Sequence, residues 1–158
     1  MAVLHSQALL GGRPGVIAVG GDMRDPEAIL GRDELRAAGL DPGAPACVVL
    51  ACVLHFVDAP AARGIVSALL RALAPGSYVV ISVGFGRGRA GTDFASMYNA
   101  QDGQRIYAHS WEEITGMFAG LELVPPGVVD ATAWHPGQPD AGLGEPSNMI
   151  VAGVGRRA

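Results

Sequence analysis

Short apolar runs alternate with amphipathic stretches along the chain, a pattern that predicts an α/β domain rather than a sandwich or a helical bundle. Residues 1–10 read as the tail of a helix stopped by Gly11-Gly12, and 16–20 as a short apolar strand left through a turn at Gly21-Asp22. Asp25-Pro26-Glu27 opens a helix: a capping carboxylate, a proline at the first helical position, and an acid near the positive end of the dipole. That helix is expected to run to Ala38 and stop before Gly39. The most apolar run, 46–54, predicts a fully buried parallel strand. Asp58 caps a helix that places Ile65, Val66, Leu69, Leu70 and Leu73 on one face, and Ala74-Pro75-Gly76 ends it. Residues 78–83 form the next buried strand. The glycine- and arginine-rich segment 84–92 predicts a loop, with room for a helix at 92–100. Ser110-Trp111-Glu112-Glu113 is a capping box whose helix turns Ile114, Met117, Phe118 and Leu121 inward. Residues 121–124, 128–129 and 149–154 supply the last strands, and the Pro/Gly-rich stretch 135–146 a long loop.

Strands 16–20, 46–54 and 78–83, separated by helices, predict a doubly wound, mostly parallel sheet in a single domain spanning residues 1–158. Ligands of such sheets bind beyond the carboxyl ends of the strands. The positions that matter are therefore Gly21 to Arg24, Ala51 to His55 and Gly84 to Thr92.

Composition narrows the chemistry. The chain has 158 residues, 49% hydrophobic and 16% charged, with a net charge of −4, enough for one core and short of a basic nucleic-acid face. No apolar stretch reaches the roughly 18 residues of a membrane helix. All 11 basic residues are arginine, which excludes the lysine-dependent P-loop, pyridoxal, Tyr-x-x-x-Lys and kinase chemistries. Cys47 and Cys52 do not make a disulfide framework, so a reduced, cytoplasmic chain is expected. Five apart on one strand, they point to opposite faces and share no metal, and His5, His109 and His135 have no ligand spacing.

Gly86-x-Gly88-x-x-Gly91 follows a strand in the formal pattern of a dinucleotide loop. A nicotinamide site needs an acid at the end of the next strand, and Glu112-Glu113 lie in a capping box instead. A substrate-side loop is the better account. His55, at the end of the buried strand, has two readings. It lines a ligand pocket or takes a proton there, or it bridges the strand–helix junction by a hydrogen bond.

The segments GDMRDPEAIL (21–30), VVLACVLHFV (48–57), ALAPGSYVVIS (72–82), LELVPPGVV (121–129) and VAGVGRR (151–157) resemble an actinobacterial family of class I S-adenosylmethionine-dependent methyltransferases, formerly a domain of unknown function. The resemblance implies a Rossmann-like sheet, S-adenosylmethionine as cofactor and a small-molecule acceptor, with neither nucleic acid nor membrane as partner. It implies cofactor contacts from Gly21, Asp22 and Met23, where Asp22 accepts the adenine amine, and from Ala51, Cys52 and His55. The plainer alternative for Asp22 is a turn aspartate. No catalytic residue and no metal is assigned, because transfer from a sulfonium needs alignment more than acid–base help. The family's first strand, glycine loop and ribose acid precede the segment similar to residues 2–10, so the resemblance implies a sheet lacking its first two strands. The expected consequence is self-association through open sheet edges, or strand 16–20 pairing directly with 46–54. A non-catalytic binding or oligomerisation fragment and a nicotinamide-dependent oxidoreductase are the alternative functions.

Overall fold

A computed structural model describes residues 2–10, 13–41, 43–85, 88–100, 105–134 and 149–158. Helix α1 (Ala2–Leu10) is followed by an extended segment, then α2 (Pro26–Leu30) and α3 (Asp33–Ala37). Strand β1 (Cys47–Ala51) leads through a 3-10 turn at Leu54–Phe56 into α4 (Ala59–Ala72) and β2 (Tyr78–Gly84). Helices α5 (Gly88–Asn99) and α6 (Trp111–Gly116) precede β3 (Glu122–Leu123), β4 (Val129–Asp130) and β5 (Ile150–Arg156).

The sheet runs β1-β2-β5-β3, with β4 also paired to β5. The α/β class holds, and the sheet is open and mixed. β1 and β2 are parallel, in register from Cys47 opposite Tyr78 to Ala51 opposite Ser82, whereas every pairing of β5 is antiparallel. The core lies on one face. Val79, Ile81 and Val83 of β2 and Val151 of β5 pack there with Ile65, Val66 and Leu69 of α4 and with Ile114, Met117 and Phe118. Full burial of each such side chain is worth about 1.5–3 kcal/mol. Gly153 and Gly155 let the segment after α6 reach the sheet. A Cβ on Gly153 would stand 2.7 Å from Phe118 Cζ, and one on Gly155 2.7 Å from Leu121 Cβ.

The caps form as the sequence requires. Asp25 accepts from Ala28 N at 3.0 Å and Asp58 from Ala61 N at 2.9 Å. Ser110 and Glu113 exchange bonds of 3.2 and 2.8 Å.

Several expectations are corrected. Residues 16–20 form no strand, and two of their carbonyls are met by side chains: Gln7 Nε2 donates to Ala18 O, and Arg32 Nη1 to Gly20 O at 2.8 Å. The helix expected to run to Ala38 breaks at Gly31-Arg32. Glycine is a weak helix interior, and the extended Arg32 backbone frees its guanidinium for Gly20 and for Glu34. Strand 46–54 stops at Ala51, and it is not fully buried: Val49 is 61% exposed. Its open face continues through Tyr78 and Ile150, both exposed, so helices do not cover both faces of the described sheet. Residues 88–92, expected as loop, open α5. The expected loop 135–146 lies outside the described residues.

Candidate functional site

The chain path at the carboxyl end of β1 is unusual. Cys52 adopts φ +52°, the one non-glycine residue with positive φ among those described. A β-substituted residue held there is strained, and such strain persists only where the surroundings over-determine it. The surroundings are visible: Cys52 N donates to Ser82 O at 2.9 Å and to Ser82 Oγ at 3.2 Å, and Cys52 Sγ lies 3.6 Å from that hydroxyl. β1 is thereby tied to β2 at the point where the backbone turns away from the sheet.

That turn opens a cavity of about 450 Å³ beyond the ends of β1 and β2. Cys52, His55 and Phe56 form one wall and Gly84 with Phe85 another. Ala95 and Tyr98 of α5, Ile106 to Ala108, and Met149-Ile150 complete it. The parts are pinned to one another. Tyr107 N donates to His55 O at 2.8 Å, and Phe85 N to Met149 O at 2.8 Å. The Asn99 amide both donates to Ile106 O and accepts from Ile106 N, at 2.8 and 2.7 Å. Phe85 meets Trp111 edge-on at 5.7 Å between ring centroids.

His55 carries the site's electrostatic anomaly. Its Nδ1 is buried and has no hydrogen-bond partner. Burial first, and the charge of His109 second, push its pKa below the ordinary imidazole value, so the ring is neutral near pH 7. His109 is itself buried. Its Nε2 lies 3.2 Å from Leu54 O, and its Nδ1 is 4.0 Å from Glu113 Oε2. Through Leu54 it braces the 3-10 turn that carries His55.

Of the six residues read from sequence as cofactor contacts, Cys52 and His55 meet at this cavity, and Gly21, Asp22, Met23 and Ala51 are not in its wall. Met23 packs against the core. Gly21 has no room for a side chain, since a Cβ would stand 2.5 Å from Ile29 Cγ1. Asp22 makes the turn its alternative reading predicted. Its Oδ1 accepts from Arg24 N at 3.0 Å and Arg24 Nε at 3.1 Å, bonds that hold its carboxyl below the usual carboxylate range. Both bonds fall on Oδ1, leaving Oδ2 outside them. Among the described residues no cluster of His, Cys, Asp and Glu could hold a metal. Sequence reasoning missed Phe56, Tyr98, Ile106 and Tyr107. The aromatic residues downstream of the strand ends were the available signal, but they are scattered along the chain and no spacing connects them.

A family model described as S-adenosyl methyltransferase matches residues 1–158. The chain belongs to that family. Two solved structures resemble it closely. A candidate methyltransferase from Thermobifida fusca YX shares 34% identity at TM-score 0.85, over 98% of this chain and 59% of its own. A DUF574-family protein from Streptomyces avermitilis shares 34% identity at TM-score 0.84, over 99% of this chain and 62% of its own. This chain thus spans about three-fifths of their length. The N-methyltransferase NodS of Bradyrhizobium japonicum WM9, solved with S-adenosyl-L-homocysteine, shares the fold at TM-score 0.54 and 16% identity, over 99% of this chain and 61% of its own. No curated protein is significantly similar. The family makes S-adenosylmethionine the cofactor, and none of these findings favours the oxidoreductase alternative. Its glycine motif runs into α5, and Gly86 lies outside the described residues.

Proposed function

We propose that this chain is the acceptor-side part of an S-adenosylmethionine-dependent methyltransferase acting on a small molecule, all within one partial domain at 1–158. The family match over the whole chain carries the reaction class. The cavity beyond β1 and β2 carries its location, since ligands of this fold bind beyond the strand ends.

The cofactor, when bound, supplies an electrophilic methyl group on sulfur. The chain's own residues divide around it. Asp22 Oδ2 is the acceptor for an adenine amine, with Met23 beside the ring and Gly21, packed against Ile29, leading the backbone to both. Ala51 and Cys52 offer backbone at the strained turn, where a close approach to a ligand needs the chain to leave the sheet. His55 stands at the methyl end. Their shared task is alignment, and a cavity walled by apolar groups excludes water from it.

A small acceptor is favoured over nucleic acid by the net charge of −4, and over a membrane by the absence, among the described residues, of a helix long and apolar enough to cross one. The two free cysteines suit a cytoplasmic setting, and the arginine-only composition an actinobacterial one. A second reading, a non-catalytic fragment that associates with other chains, draws on the outer edge of β1, which pairs with no strand among the described residues.

The test is a calorimetric titration of this 158-residue chain with S-adenosylhomocysteine. Saturable binding that weakens tenfold or more in Asp22→Ala is the expected result, a hydrogen bond to a charged group being worth about 1.5–3 kcal/mol. Absence of binding, regained only in a chain extended upstream, would favour the second reading for this chain.

A further inference from the structure

Three glycines lie in the described strands, and two of them serve packing. A Cβ on Gly153 or on Gly155 would stand 2.7 Å from Phe118 or Leu121. Gly84, at the carboxyl end of β2, is different. Its φ is not positive, so its backbone does not call for glycine. The three atoms nearest to a Cβ there all belong to His55, at 3.7–4.0 Å, which is ordinary contact. Glycine weakens a strand through its backbone entropy and its missing side chain. Neither conformation nor crowding inside the protein accounts for it at this position.

The missing side chain falls where the cavity begins. Alternation along β2 puts Gly84 on the face of Val80 and Ser82, away from the core. Gly84 and Ile150, its partner on β5, are both in the cavity wall, and so is His55. A side chain at 84 would grow from one wall residue alongside another and take up cavity volume. Glycine inside a strand often marks a place where a ligand comes close to the backbone. The rest of the wall describes that ligand. Phe56, Phe85 and Tyr107 bring aromatic rings, and Ala95 and Ile106 a buried apolar side. The volume, about 450 Å³, falls within the roughly 300–1,000 Å³ of sites that enclose a small organic ligand. Bare backbone at a strand end offers a flat surface, which a flat ring covers most fully. Aromatic side chains then meet such a ring offset or edge-on.

We propose that Gly84 sets the depth of this pocket, and that the acceptor carries its reacting atom on a flat apolar ring system laid against the Gly84 backbone. This rests on the methyl-transfer reading in making the ligand an acceptor, although not for the binding of the ring. It concerns the part of the ligand inside the cavity, and substituents beyond the wall are free to be polar or charged. Cys52 and His55 stand beside Gly84 in the wall, at the turn assigned above to the cofactor. How deeply the ring sits against residue 84 therefore fixes the distance from its substituent to that turn. Depth becomes alignment, and alignment is what methyl transfer needs.

The probes are 2-naphthol and decahydro-2-naphthol, which share a skeleton and a hydroxyl but differ in flatness, titrated by calorimetry without any methyl donor. The flat probe is expected to bind about tenfold more tightly. Gly84→Ala is expected to weaken it about tenfold and Gly84→Val further, since one carbon more or less in a pocket is worth about 10–200-fold. The melting temperature of Gly84→Ala should hold or rise, because its Cβ meets only ordinary contact. Equal binding of the two probes, or unchanged affinity in both variants, would overturn the proposal. A fall in melting temperature in both variants would make Gly84 a requirement of the fold and overturn it as well. Displacement of 2-naphthol by S-adenosylhomocysteine would give the cavity to the cofactor, with the same consequence. The S-adenosylhomocysteine titration alone separates the two readings. Ring binding graded by residue 84 without cofactor binding would remove methyl transfer from this chain and leave the ring site standing, and cofactor binding without such ring binding would do the reverse.

Discussion

At the scale of single residues, His55 shows how burial turns an ordinary side chain into a candidate for chemistry. The His55 imidazole is destabilised in its charged form by burial and by His109. The unfolded chain, with the ordinary imidazole pKa of about 6.5, therefore takes up that proton at a higher pH than the folded chain does. Between the two values the unfolded state holds more protons, so stability rises with pH across that window. The folded chain is expected to lose stability as pH falls below about 6.5, until the folded imidazole itself titrates. Urea denaturation at a series of pH values measures this, and His55→Gln should flatten that segment of the curve. An unaltered slope in the variant would remove His55 as its source.

Among the elements, β5 is the keystone, since β2, β3 and β4 all pair with it. The sequence of one valine and two glycines on its buried face is a packing device. Val151 fills space, and Gly153 and Gly155 surrender it to Phe118 and Leu121. The two glycines differ in what replacement would meet. At Gly153 the obstacles are side-chain ends, the Phe118 ring at 2.7 Å and Val128 Cγ2 at 3.2 Å, which can give by small shifts. At Gly155 the obstacle is Leu121 Cβ, fixed to its own backbone at 2.7 Å. Gly155→Ala is expected to cost about 1–3 kcal/mol, and Gly153→Ala less, read as melting-temperature losses. The reverse ranking would mean that the segment after α6 yields more readily than the Phe118 ring.

For the molecule as a whole, the question is what the sheet leaves open. The outer edge of β1 pairs with nothing among the described residues, and the face bearing Val49, Tyr78 and Ile150 is exposed. An unpaired edge beside an apolar face is a template for association. Sedimentation velocity is expected to show concentration-dependent self-association of this chain, and Val49→Lys to reduce it. Because Val49 is mostly exposed, the substitution should alter stability by no more than about 0.5 kcal/mol. A monomer at all concentrations would sink this expectation.

Local signals in the sequence determined what local physics decides. Asp25, Asp58 and the Ser110–Glu113 box cap helices because a cap needs only neighbouring backbone donors. The apolar cores of β1, β2 and β5 were legible because β-branched runs bounded by turn residues have few other uses. The motifs at 21–30, 48–57 and 72–82 carried the family. What lay beyond the sequence was whatever depends on a partner far along the chain. Residues 16–20 have the composition of a strand, but a strand exists only if another offers it hydrogen bonds, and here side chains of Gln7 and Arg32 do so instead. The left-handed turn at Cys52 is imposed by Ser82, 30 residues away, and nothing in the local run Ala51-Cys52-Val53 calls for it. The aromatic wall beside His55 arises where five segments converge. A sequence names those residues one at a time, and only tertiary packing gathers them around one apolar cavity.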